Sequence, residues 1–110
     1  MKRILLLGAC LLLVGATVVR ADDTKDAWEK DCRKCHGAEG KGDTKMGKKL
    51  EVKDYSDAAV QAAMKDPEMI KAIKEGIKDK EGKDRMKAYG ETYKDDQIKA
   101  LVAYVRAFKK

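Results

Sequence analysis

Cys32-Arg33-Lys34-Cys35-His36 is the stretch that decides how this chain is read. On a helix, residues three and four apart share one face. Both thiols and the imidazole can therefore address one object. The order C-x-x-C-H is the pattern of covalent c-type haem attachment. Cys32 and Cys35 can reach the two vinyl groups on one porphyrin edge as thioethers. His36 can turn its imidazole under the ring and bind iron through Nε2, and it is the only histidine in the chain. Three other readings of these residues stay open. They are a redox-active dithiol, a structural zinc site, which needs four ligands where three exist, and a plain disulfide of the kind exported proteins carry.

The residues before the motif read as a helix. Asp23 or Thr24 can cap it, Asp26 follows in its first turn, and Trp28, Cys32 and Cys35 recur at i, i+4 and i+7. After the motif, Gly37, Gly40, Gly42 and Gly47 alternate with Lys41, Lys45, Lys48 and Lys49, which reads as a loop. Ser56 can start a short helix through Ala58, Val60, Ala63 and Met64. Asp66-Pro67-Glu68 is a strong start for another, with Met69, Ile70 and Ile73 on its apolar side and Gly76 at its end. Residues 77–91 again read as loop. A last helix runs from about Asp95 to Phe108, where Ile98, Leu101, Val102 and Val105 form a helical stripe. No segment shows strand alternation, so the fold class is all-α.

The chain has 110 residues, 44% hydrophobic and 40% charged, enough for one domain. Met1-Lys2-Arg3, the apolar run from Ile4 to Val19 and the ending Val19-Arg20-Ala21 have the form of a secretory signal cut after Ala21. An uncleaved membrane anchor and a lipid anchor at Cys10 are the competing readings. Residues 1–21 are therefore assigned as signal and 22–110 as the working domain, which is periplasmic or otherwise exported. That domain carries 22 Lys and Arg against 19 Asp and Glu. Only 11 of its 89 residues are Leu, Ile, Val or Phe. Side chains this poor in large aliphatics give little to set against ordering entropy. Either the domain is unfolded, or something other than side chains fills its centre, as a bound porphyrin would.

Iron held by one histidine has a second axial position, and the soft thioether of methionine is the candidate in a chain without another imidazole. Met64 and Met69 fall on apolar helix faces, where methionine is more often core than ligand. Met46 follows His36 by ten residues in a polar loop, from which it could reach round the ring edge. Met86 stands fifty residues after His36 in a polar loop just before the last helix, with no stripe to serve, and is the preferred sixth ligand.

The domain resembles the small monohaem class I cytochromes c of bacteria. The resemblance rests on Cys32-x-x-Cys35-His36-Gly37, the glycine-rich segment to Gly47, Met86 with Tyr89, and the ending from Ile98 through Leu101 and Tyr104 to Arg106. It implies a cytochrome c fold: three to five short helices wrapped around one covalently bound haem, with the N- and C-terminal helices crossing. It places Trp28 on that crossing, with Leu101 and Tyr104 facing it, and assigns Met86 as the methionine ligand. Many relatives have proline after that methionine, where this chain has Lys87. Many have proline near Gly47-Lys48, with its carbonyl bonded to the ligand histidine's other nitrogen; here the Lys48 carbonyl could serve. Thr24 stands where a glycine is common at the crossing.

The function expected is one-electron carriage between redox proteins by haem c and its iron, without enzymatic chemistry. The alternative is a haem protein with a labile sixth ligand, acting as a small-ligand sensor or a peroxidase-like enzyme. Lys34, Lys41, Lys45, Lys48, Lys49 and Lys87 could form a basic face near the haem edge that steers acidic redox partners. A monomer is expected, with no nucleic acid partner and no membrane insertion once the signal is gone.

Overall fold

The computed structural model describes residues 19–110, so most of the expected signal segment, residues 1–18, lies outside the described residues. The first helix, α1 (Ala21–Ala27), starts ahead of the expected caps. Its N-cap is Arg20, which makes no side-chain cap, and Asp22 and Asp23 lie in the first turn, where the helix dipole favours them. Thr24 is not a cap: its N–H (3.2 Å) and its hydroxyl (3.3 Å) both donate to the Arg20 carbonyl.

The helix then widens into a π-helical turn, Trp28–Cys32, where the Arg33 N–H donates to the Trp28 carbonyl five residues back. It resumes as α2 (Arg33–His36) and stops at Gly37. The π turn inserts a residue into the face that the sequence reading treated as regular α-helix. Such turns concentrate at functional sites, and this one carries Cys32.

Two elements lie where loops were expected. The short helix α3 (Lys45–Lys49) starts at Thr44, whose hydroxyl oxygen accepts from the Gly47 N–H at 2.9 Å. A two-stranded antiparallel hairpin pairs β1 (Ile77–Lys78) with β2 (Asp84–Met86), placing Ile77 opposite Met86. Strands of two and three residues cannot display an alternation, which is why the pattern missed them. The helix α4 (Ala58–Ala63) is capped by Asp57 rather than Ser56, the Ala59 N–H donating to its carboxylate at 2.8 Å. Helix α5 (Asp66–Glu75) takes Lys65 as N-cap, keeps Asp66 and Glu68 in its first turn, and ends at Gly76. The last helix, α6 (Asp95–Arg106), opens with the Lys94 N–H donating to the Gln97 side chain at 2.8 Å. With α1, the π turn and α2 taken as one rod, the described residues form five helices, and the fold is the helix-rich one expected.

The core is small and sits where α1 and the π turn meet α6. Ile98, Leu101, Val102 and Val105 are buried along one stripe of α6, and Trp28 is buried against them. The indole lies 5.5 Å from the Tyr104 ring and 5.1 Å from Phe108, centroid to centroid. Its N–H donates to the Gly37 carbonyl at 3.1 Å, so the one polar atom of the buried ring is satisfied and the turn after the motif is fixed. Thr24 is buried at the same contact. Its small side chain, with the hydroxyl turned back onto its own helix, takes the place the resemblance would give to glycine.

A polar knot closes the C-terminal end of α6. The Gln61 side chain is buried, and its amide donates to the Tyr55 carbonyl (2.7 Å) and the Val105 carbonyl (2.9 Å). The Arg106 guanidinium donates to the Gln61 backbone carbonyl (2.6 Å), to its side-chain oxygen (3.1 Å), to the Met64 carbonyl (2.7 Å) and to Asp66 (2.8 Å). Removing one member of a buried network strands its partners. Gln61→Leu takes the donor from two carbonyls and is expected to cost about 2–3 kcal/mol. A thermal unfolding curve should show the midpoint lowered by about 10–15 °C.

Candidate haem-binding site

Cys32, Cys35 and His36 lie within one run of helix, Cys32 ending the π turn and the other two in α2. Each is partly buried. The two thiols are unbridged. Burial pushes the Cys32 thiol up to about 12, helped by the charges of Asp31 and Cys35. Among the described residues there is also no cluster of three or more His, Cys, Asp or Glu side chains able to hold a metal ion, so zinc finds no ligand set.

The His36 ring is held by stacking. Tyr55 lies nearly parallel to it, with centroids 5.4 Å apart and planes at 23°, and Trp28 is 5.7 Å away on a tilted plane. Burial lowers the pKa of His36, keeping the imidazole neutral as metal ligation requires. Its Nδ1 is buried without a hydrogen-bond partner. The Lys48 carbonyl, which the resemblance offered to this nitrogen, instead accepts from the Glu51 N–H at 3.3 Å within the turn after α3. That corrects the expectation: the formation of α3 turns the carbonyl to its own chain.

Tyr55 is the residue that sequence reasoning missed. Its N–H donates to the Gly40 carbonyl at 2.7 Å and its own carbonyl accepts from Gln61, so the backbone under the ring is pinned from both sides. Burial, and then the charge of Cys32, raise its hydroxyl pKa, keeping it a neutral phenol. An isolated aromatic in so polar a stretch was the available signal.

Met86 ends β2 and is half-buried. The chain around it is anchored on three sides. On one flank, the Arg85 guanidinium donates to the Leu50 carbonyl. On the other, the Tyr89 hydroxyl donates to the Asp31 carbonyl at 3.2 Å, beside Cys32. The Tyr89 and Gly90 N–H groups donate to the Ile73 (2.8 Å) and Lys74 (3.0 Å) carbonyls at the end of α5. Gly76, at φ +75°, allows the closest approach: a Cβ there would sit 2.6 Å from the Met86 carbonyl oxygen and 2.8 Å from the Ala88 nitrogen.

The residues present fit a covalent haem. Two free thiols at C-x-x-C spacing stand beside a neutral imidazole whose inner nitrogen is buried and unpartnered. Ile77, the one exposed large hydrophobic among the described residues, stands in register with Met86. Comparison with known proteins points the same way. A family model described as Cytochrome c matches residues 21–109. The solved c-type cytochrome KustC0563 is 33% identical, with a TM-score of 0.68 over 79% of this chain and 98% of that chain. A point mutant of Kustc0563 is also 33% identical, with a TM-score of 0.66 over 79% of this chain and 99% of its own. No curated protein matches. Haem c, covalently bound and carrying iron, is the cofactor, and haem-based electron transfer is the chemistry that goes with it: the chain belongs to the cytochrome c family.

Proposed function

We propose that this chain is an exported one-electron carrier and not an enzyme, with Cys32 and Cys35 as the thioether anchors and His36 and Met86 as the two axial ligands. The observation that carries this reading is the anchoring of the Met86 segment to α5, to Asp31 and to Leu50. A ligand loop held at three places keeps the sixth position filled. Bound haem c supplies a one-electron ferrous–ferric couple. The polypeptide fixes both ligands so that little rearranges when the charge changes, and its methionine sulfur favours a raised potential. Tyr55 and Trp28 hold the His36 ring in its orientation. Saturated coordination leaves no place for a substrate.

Export is supported by the cationic start and apolar run that precede Ala21. Lys34, Lys45, Lys48, Lys49 and Lys87 make no ion pair among the described residues, whereas Lys41 pairs with Glu39 at 3.3 Å. These cations are free to steer an acidic redox partner, and the encounter rate should fall as salt rises.

The optical spectrum tests the reading. The ferric protein is expected to show the weak long-wavelength sulfur-to-iron band, and Met86→Ala is expected to abolish it. Reduced wild type should not bind carbon monoxide at neutral pH, and reduced Met86→Ala should. Carbon monoxide binding by the wild type would instead support a labile sixth site, with the sensor or peroxidase-like function that goes with it.

A further inference from the structure

The Met86 loop is tied to the helix that bears Cys32 by two tyrosines that converge on one residue. The Tyr93 hydroxyl donates to the Asp31 carboxylate, and the Tyr89 hydroxyl donates to the Asp31 backbone carbonyl at 3.2 Å. The two hydroxyls belong to rings 6.1 Å apart, on a segment that also bonds its own backbone: the Tyr93 N–H donates to the Tyr89 carbonyl at 2.9 Å. All three side chains are half-buried. Asp31 lies within the π turn, directly before Cys32. Among the described residues no other hydrogen bond or ion pair joins the stretch from Met86 to Tyr93 to the π turn through a charged group.

We infer that Asp31 and Tyr93 form a latch that positions Met86, holding the loop closed over the sixth coordination site through the charge-assisted bond between phenol and carboxylate. The inference rests on Met86 being the sixth ligand. The physical reasoning is a two-state one. An external ligand reaches the iron only when the methionine swings away, so its apparent affinity is its intrinsic affinity multiplied by the open fraction of the loop. A hydrogen bond to a charged acceptor is among the stronger ones. In this proposal the bond belongs to the closed state, in which Tyr93 stays against the π turn. Losing it raises the open fraction directly. The backbone bonds to α5 and the Tyr89 bond to the Asp31 carbonyl remain, so the fold survives.

The test uses the holoprotein and imidazole as the competing ligand of the ferric form. Tyr93→Phe keeps the ring and removes the hydroxyl; Asp31→Ala removes the carboxylate and keeps the carbonyl that holds Tyr89. Each is expected to raise imidazole affinity about tenfold or more and to weaken the sulfur-to-iron band. Because both remove the same bond, the double variant should gain no more than either single one. Asp66→Ala is the stability control. It removes the carboxylate that Arg106 binds, lowers the unfolding midpoint, and should leave imidazole affinity unchanged. Unchanged affinity in Tyr93→Phe, effects that simply add in the double variant, or an equal rise in Asp66→Ala would each overturn the latch while leaving the Met86 ligand in place. A wild-type ferric protein without the sulfur-to-iron band would overturn the Met86 assignment, and the latch with it.

Discussion

The double variant Cys32→Ala/Cys35→Ala is expected to lose its haem under denaturing conditions and, once haem is removed, to show no cooperative thermal transition. The argument begins with the core. Among the described residues the buried hydrophobic side chains are Trp28, Ile98, Leu101, Val102 and Val105, and four of these five lie on α6 alone. None of the other helices, α2 to α5, buries a large apolar side chain completely. Those helices carry apolar groups that are half-covered, such as Ile70, Ile73, Met69 and Val60. Side chains in this state fold against something, and in this family that body is the porphyrin. Ordering each residue costs about 1–2 kcal/mol, a total that so small a core does not offset. Haem binding therefore carries folding free energy, as metal binding does in small metalloproteins. Circular dichroism on heating, with haem staining of a denaturing gel, reads both halves. A haem-free double variant with native helix content and a sharp transition would show the core to be self-sufficient.

The same shortage of apolar residues explains what was legible in the sequence. The stripe Ile98, Leu101, Val102 and Val105 is a strong periodic signal, and it became the buried face of α6. Asp66-Pro67 and Gly76 bounded α5 to within a residue, because proline and glycine act through the backbone alone. Trp28 was placed on the helix crossing and lies there, against Tyr104. The elements missed are those that depend on tertiary contact. Helix α3 has few apolar residues to announce it, and it exists because Thr44 caps it and also donates to the Cys35 carbonyl at 3.0 Å. The β1–β2 hairpin is set by the turn around Asp79, whose carboxylate accepts from the Glu81 and Lys83 N–H groups at 2.8 and 2.9 Å. For the site, Cys32, Cys35 and His36 announced themselves by spacing. Tyr55, Gln61, Asp31 and Tyr93 did not, because their roles come from partners distant in the chain that no local pattern records.

Gly47→Val is expected to be strongly destabilising. Helix α3 lies so close to the end of α2 that a Cβ on Gly47 would stand 2.2 Å from the Cys35 carbonyl oxygen and 2.6 Å from the Gly42 carbonyl oxygen. Both are backbone atoms, so no rotamer change relieves the overlap; α3 must move off α2. That movement breaks the Thr44 hydroxyl bond to the Cys35 carbonyl. The loss should reach about 3 kcal/mol, the upper end for overpacking, and lower the midpoint by about 15 °C. Lys48→Ala, an exposed change in the same helix, should leave the midpoint within a degree or two. The effect should also reach the site. Cys35 and His36 are the last residues of α2, so displacing α3 loosens the turn that holds the imidazole against Tyr55. Gly47→Val is therefore expected to yield less holoprotein as well as a less stable one. Equal yield and an unchanged midpoint would mean that α3 can separate from α2 freely, and that the close approach at Gly47 holds nothing in place.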